Sequence, residues 1–270
     1  MLRRMYFIRK ILSIFAKIYY KIKVVEPVII SGEQFQVIKS QNYSYWKHFT
    51  RNKLIEPEIF LILKEYLNEG DVFFDIGAFV GSHSLYASRK VGRNGQVFSF
   101  EPNPFNAQEL RKNILLNGIE NISVFQIALG GSNRKFDFCL PKRHGDKTSF
   151  LINCNSANKI SVDERTLKSF AEEQEVSPCL IKIDVEGFEY EIFKGSESYF
   201  INNKPNTICE IHLELLTKEK IEYLFNFFHY YPKVRLVSGI DLPGIKKWEN
   251  ISLEDVLKSK RATITVFLTS

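Results

Sequence analysis

From residue 72 onward the chain alternates short apolar runs with helical patterns, and few folds accept that alternation. The runs are VFFDI (72–76), VFSFE (97–101), ISVFQI (122–127), LIKID (180–184), TICEI (207–211), VRLVS (234–238) and ATITVFL (262–268). Helical spacing of apolar residues falls at about 56–68, 82–91, 104–117, 162–173, 188–200 and 217–229. Strands this continuous in apolar residues belong in a mainly parallel sheet covered on both faces. The expected fold class is therefore α/β, with a doubly wound, mostly parallel sheet. Only the loop-rich GIDLPGIKKWENISLEDVLKSKR precedes the last run, so that strand is expected to enter antiparallel. A length of 270 residues, 44% of them hydrophobic, is enough to bury such a core.

The first 50 residues read differently and are taken as an extension, with the catalytic domain over 51–270. Met1, Met5, Ile8, Leu12, Phe15, Tyr19 and Ile22 fall on one helical stripe, with Arg3, Lys10, Lys17 and Lys21 opposite. No uncharged apolar run there approaches the roughly 18 residues of a bilayer span. A basic amphipathic helix of this kind is expected to lie on an anionic membrane surface, which makes the protein cytoplasmic and possible peripheral contact through 1–25 part of its expected partners. Residues 24–50 carry a Ser31-Gly32 turn signal between alternating stretches, which predicts a short strand pair. Seven of the 37 Lys and Arg residues lie in 1–25, leaving 30 against 31 acids in the body. A general nucleic-acid surface is not implied, and no nucleic-acid partner is expected. The four cysteines form no CxxC pair, so neither a zinc site nor a disulfide framework is indicated.

Ligands of open α/β sheets bind beyond the carboxyl ends of the strands. The first strand ends in Asp75-Ile76-Gly77-Ala78-Phe79-Val80-Gly81, whose GxxxG spacing is not the GxGxxG of dinucleotide sites. The second ends in Glu101-Pro102, an acid placed to accept hydrogen bonds from ribose hydroxyls. Two carboxylates repel a pyrophosphate but suit a nucleoside with a cationic amino-acid tail, and S-adenosylmethionine fits that description. A nicotinamide dehydrogenase is the disfavoured alternative.

DIGAFVGSHSLYAS, FSFEPNPFNAQELRKNILLN, LIKIDVEGFEYEIFKG and CEIHLE, in that order, resemble the FkbM-type family of S-adenosylmethionine-dependent methyltransferases over about residues 70–215. The resemblance implies a seven-stranded Rossmann-like sheet with the last strand antiparallel, O-methylation, and a hydroxyl-bearing acceptor such as a saccharide or lipid-linked saccharide. It also implies that Asp75, Gly77, Ala78, Gly81 and Ser84 line the methionine and nucleoside end. Glu101, with Pro102 beside it, would hold the ribose, Asp184 would face the reacting centre, and Asn113 and Asn117 would lie on a helix near the adenine. Phe79 stands where the family usually has Asn, and Lys168-Ser169 replace a usual pair of acids. These departures keep open a nucleoside-binding module without catalysis, and the amphipathic helix keeps open a membrane-surface interaction protein.

For an alcohol acceptor the enzyme must align an oxygen and remove its proton. Glu210 and His212 share one face of their strand, and His212 is the expected base. Asp184 and Glu186, likewise on one face, are expected to orient the acceptor or serve as base instead. Asp184, Glu210 and His212 would also admit a divalent ion, but the spacing is not distinctive and no metal is assigned. His83 is expected on a helix surface, and His48 and His229 as packing residues. The polar stretch 141–160, with His144 and Asp146, is expected to form an acceptor loop.

Overall fold

The computed structural model describes residues 25–40, 42–50, 55–139, 159–238, 256 and 262–270. The helix expected at 1–25 and the loop expected at 141–160, with His144 and Asp146, lie outside these residues except at positions 25, 159 and 160.

The elements follow in the order β1 (Val25–Ile30), β2 (Glu33–Ile38), α1 (Tyr43–Thr50), α2 (Pro57–Tyr66), β3 (Val72–Ile76), α3 (Ser82–Val91), β4 (Gln96–Phe100), α4 (Pro104–Asn117) and β5 (Ile122–Phe125). Then come β6 (Ala128–Leu129), β7 (Arg134–Cys139), β8 (Lys159–Arg165), α5 (Leu167–Gln174), β9 (Leu180–Ile183), α6 (Glu189–Gly195), α7 (Glu197–Asn203), β10 (Asn206–His212), α8 (Lys218–Phe228), β11 (Lys233–Ser238) and β12 (Thr263–Thr269). The seven-stranded sheet has the order β11-β12-β10-β9-β3-β4-β5. Its pairs are parallel from β5 to β10, and β12 runs antiparallel to both β10 and β11. Adjacent residues of one strand serve opposite faces: Phe73 joins one buried cluster with Leu85, Val97 and Phe267, while Phe74 joins another with Phe98, Phe170 and Ile181. This two-sided burial explains why the strands read as unbroken apolar runs. Crossovers from β3 run outward through β4 to β5, and the chain then returns to the other side of β3 to form β9. The strand order thus reverses between β3 and β9, where a ligand crevice is expected.

The extension docks on this body. Ser31 (φ 48) and Gly32 (φ +89) make the turn between β1 and β2, and Val28, Ile30, Phe35 and Val37 are buried in the same cluster as Phe73. Helix α4 takes the free edge of β2 with side-chain amides. Asn117 accepts from the Gln36 N–H and donates to the Gln36 carbonyl, both at 2.8 Å, and Asn113 accepts from the Ile38 N–H at 3.1 Å. Asn113 and Asn117, expected on a helix near the adenine, thus substitute for a missing strand at an open sheet edge, and Asn113 also donates to the Val80 carbonyl of the glycine loop at 3.2 Å. Buried Glu109 accepts from Ser40 (2.5 Å), Asn42 (2.8 Å) and Trp46 (3.3 Å), and so fixes the start of α1, a helix the sequence reading lacked.

Strands β6 and β7 have no counterpart among the expected runs, and two expected helices differ in extent. The pattern at 162–173 is half strand: Val162 and Glu164 are buried while Ser161 and Asp163 are exposed, and β8 pairs antiparallel with β7. The helix begins only after Thr166, whose hydroxyl accepts from the Ser169 N–H at 3.1 Å as an N-cap. The helix expected at 188–200 is two, α6 and α7, broken at Ser196.

Candidate active site

A cavity of about 350 Å³ opens at the carboxyl ends of β3, β4, β9 and β10. Its wall includes Gly77, Ala78, Glu101, Pro102, Asp184, Glu186 and Glu210, all expected from the sequence, together with Lys182. On the other side it is closed by Ser44, Tyr45 and His48 of α1 and by Ile55 and Glu56. Asp75, Gly81, Ser84 and His212 are not among its lining residues.

Strand register explains the position of Asp75. It pairs with Ser99 on one side and Lys182 on the other, so the three side chains share a face. The fully buried carboxylate accepts from the Ser84 hydroxyl at 2.5 Å, and its other oxygen lies 3.6 Å from the Lys182 ammonium. That ammonium also donates to Asp184 at 3.3 Å and approaches the Gly77 carbonyl at 3.5 Å. Burial works against the charged lysine, but Asp184 and Asp75 outweigh it and hold its pKa above the usual range. Burial likewise raises the pKa of Asp75 against the pull of Lys182. Asp75, expected to line the ligand, is thus placed as a counter-ion beneath the cavity and not among its lining residues. Ser84 caps that counter-ion, and the Ser84 and Ser99 hydroxyls meet at 2.8 Å.

The glycine loop is shaped by close approaches. At Gly77 (φ +79) a Cβ would fall 1.8 Å from the Asp184 carbonyl oxygen, so only glycine lets the tips of β3 and β9 meet. Gly77 and Ala78 both donate to the Phe100 carbonyl at 3.0 Å. At Gly81 (φ +96) a Cβ would fall 2.1 Å from Leu110, which makes Gly81 a contact between α3 and α4 and not a cavity residue. Phe79 adopts φ 50, a conformation more natural to Asn or Gly. Its N–H donates to Glu101 at 2.9 Å, and its ring meets Tyr45 edge-on at 5.2 Å. Tyr45 in turn bonds Ser82 at 2.6 Å. An aromatic residue of the extension therefore supports the position where a polar one was expected.

At one end of the cavity stands Glu101. One oxygen accepts from Phe79 and the other from the Asn103 N–H at 2.9 Å, and Phe100, Pro102, Ile127, Leu129 and Val185 supply apolar surface around it. Burial pushes its pKa up to about 7, opposed by the backbone bonds of Asn103 and Phe79. Three strand spacings of about 4.8 Å separate β4 from β10, so roughly 14 Å lies between Glu101 and the acids opposite.

That opposite end surrounds His212. Its Nδ1 lies 2.7 Å from Glu189, and its Nε2 lies 3.3 Å from Glu186, 3.8 Å from Asp184 and 3.9 Å from Glu210. Burial disfavours the imidazolium, but Glu189 and then Asp184 and Glu186 prevail and raise its pKa to about 9. Across the cavity, burial and then Asp184 push Glu56 up to about 8. Glu56 lies 3.4 Å from Nε2 of His83, which is buried against Phe60 and kept neutral by burial. His83 is therefore a cavity residue and not a helix-surface one, and His48 is exposed at the cavity instead of packed. His229 is also exposed, with Nδ1 2.9 Å from the Phe225 carbonyl.

The profile of the methyltransferase FkbM domain matches residues 75–235, more than half of the chain. The chain belongs to the FkbM methyltransferase family. It is similar to the hexuronic acid methyltransferase AglP of Haloferax volcanii, 27% identical over 184 residues, which cover 63% of this chain and 67% of that protein. Among solved structures it resembles methyltransferase FkbM from Methylobacillus flagellatus KT, with 17% identity and a TM-score of 0.44 over 82% of this chain. It spans 51% of that chain, about half its length. A SAM-dependent O-methyltransferase from Thermotoga maritima matches with 12% identity and a TM-score of 0.46, over 91% of this chain and 78% of that one. In this FkbM protein Lys182, Glu56, Ser44 and Tyr45 are cavity groups to which the sequence assigned no role, while His83 and His48 were expected elsewhere. Lys182 carried a signal, a lysine inside the otherwise apolar LIKID run. Glu56 and α1 carried none, because they precede the matched region.

Proposed function

We propose that the protein transfers a methyl group from S-adenosylmethionine to a hydroxyl of an acidic saccharide. The observation that carries this reading is one cavity with a tethered carboxylate, Glu101, at an apolar end and a cluster of acids at the other. Glu101 keeps acceptor capacity for two ribose hydroxyls, and Ile127, Leu129 and Val185 offer surface for a base. Glu56, Asp184, Glu186 and Glu210 make the other end attractive to positive charge, and the bare backbone at Gly77 lets a ligand lie close to the sheet. When bound, the cofactor supplies a methyl group already activated on a sulfonium. The chain's own work is then to align an acceptor oxygen, exclude water and take up one proton.

His212, first expected as the base, is less well placed, because it is not among the residues that line the cavity and its Nδ1 is engaged by Glu189 at 2.7 Å. Glu56 is the better placed base because it lines the cavity, and with its pKa at about 8 it becomes free to take a proton as pH rises through that value, so transfer should speed up over the same range. The saccharide acceptor is supported by the name of the Haloferax relative, a hexuronic acid methyltransferase. Incubation of the full chain with methyl-labelled S-adenosylmethionine and uronic-acid oligosaccharides tests the reading. Label should enter the sugar at an ether oxygen, and Glu56→Gln should slow it by about 10² to 10⁴-fold, the range of general-base effects. Label found only in neutral hexoses, or nowhere, would refute it.

A further inference from the structure

The surroundings of His212 favour a cation at the point its Nε2 faces. Glu189 is fully buried and holds Nδ1 at 2.7 Å, which fixes the ring. Nε2 is thereby aimed at Asp184, Glu186 and Glu210, three groups whose carboxylate oxygens only accept. Separations of 3.8 Å to Asp184 and 3.9 Å to Glu210 are too long for hydrogen bonds. They suit two ligands of one ion, since bonds of about 2.1 Å place ligand atoms from about 3 Å apart at right angles to about 4.2 Å across the ion. The ligand atoms of Asp184, Glu210 and His212 all lie within 4.8 Å of one another. Lys182 does not fill the role, because it meets Asp75 and the other oxygen of Asp184 and leaves Oδ1 toward His212. A buried carboxylate that orients an imidazole toward further carboxylates is the arrangement by which proteins prepare a histidine for a metal.

We propose that Asp184, Glu210 and His212 hold a divalent cation of the Mn²⁺ or Mg²⁺ class, with Glu186 beside it, and that this ion receives the oxygens of the acceptor. Asp184, Glu186 and Glu210 line the cavity, so the ion keeps positions open to it. The part played toward the acceptor rests on the function proposed above: a cation at this point would offer an anionic sugar a counter-charge beside the acids that line the cavity.

The test is titration of Mn²⁺ into the chelator-treated full chain, followed by the electron paramagnetic resonance signal of free Mn²⁺, with and without S-adenosylhomocysteine. One ion per chain is expected, its affinity lowered at least tenfold by Glu210→Gln and by His212→Ala and unchanged by the exposed control Asp163→Asn. Glu210→Gln is the milder change, and thermal melting verifies that each variant is folded. S-adenosylhomocysteine should leave Mn²⁺ affinity within about twofold. No saturable binding, an unaltered affinity in folded Glu210→Gln, or displacement of Mn²⁺ by S-adenosylhomocysteine would each overturn the inference, the last by assigning the acids to the cofactor's ammonium. Binding of S-adenosylhomocysteine without Mn²⁺ sinks the metal site alone. Binding of Mn²⁺ without S-adenosylhomocysteine supports the site and sinks the proposed function.

Discussion

Replacing Lys182 by methionine keeps the length of a fully buried side chain and deletes its charge. Asp75, with no exposed surface, then loses a cation at 3.6 Å and Asp184 loses one at 3.3 Å. Breaking a buried ion pair from one side typically costs about 3–5 kcal/mol, because the partner is left charged without compensation. For 270 residues the unfolding entropy is on the order of 0.6 kcal/mol per degree, so the melting temperature should fall by about 5–9 °C. Asp75→Asn alone should cost less, since Ser84 can still bond the amide and Asp184 still holds the lysine. In the double variant the uncompensated charge at position 75 is absent, and the loss should fall short of the sum of the singles by about 1–3 kcal/mol, the range of coupling between contacting groups. Urea or thermal unfolding of the four proteins completes the cycle. Additive losses within about 0.5 kcal/mol would refute the assignment of Asp75 as a counter-ion and return it to the ligand.

Glu101→Gln should weaken S-adenosylhomocysteine at least tenfold by calorimetry, since a charged acceptor becomes a neutral amide. In the unmodified protein that affinity should rise as pH rises through about 7, where Glu101 ionises, and the variant should lose this dependence. The linked stability has the opposite sign: because the folded pKa is raised, the contribution of Glu101 is fully present below its unfolded value near 4.5 and is lost as pH rises through about 7. Asn117→Ala removes both bonds to Gln36 and leaves that edge of β2 short of partners, at a cost of about 1–3 kcal/mol. Amide exchange at Gln36 should accelerate by at least tenfold while Phe74 in the central sheet stays protected, and equal exchange in the two proteins would contradict the docking role of α4.

The parallel sheet was legible because burial on both faces leaves its strands apolar throughout, and β3, β4, β9 and β10 fall within a residue or two of the expected runs. The helices at 82–91 and 104–117 matched because their ends are marked, by Gly81 in one case and by Asn103-Pro104 and Gly118 in the other. Strand β8 was misread because a seven-residue alternation adjoins a true helix, and only Thr166 marks the boundary. Glu101 could be placed from its strand end alone. Asp75 could not, because its orientation depends on register: opposite Lys182 it faces a neighbour, not the solvent crevice. His212 was correctly placed on one strand face with Glu210, but its proton affinity is set by Glu189, 23 residues away on a helix that no local pattern aims at it. The same holds for Glu56 and His83, which meet only when α2 and α3 pack.

The most direct measurement is the crystal structure of the full chain with S-adenosylhomocysteine. The account predicts the ribose hydroxyls on the Glu101 carboxylate, the base against Ile127 and Leu129, and Asp75 still buried under Lys182 without touching the ligand. Ribose bound at Asp75, or a nucleoside bound outside the cavity between β4 and β10, would contradict it.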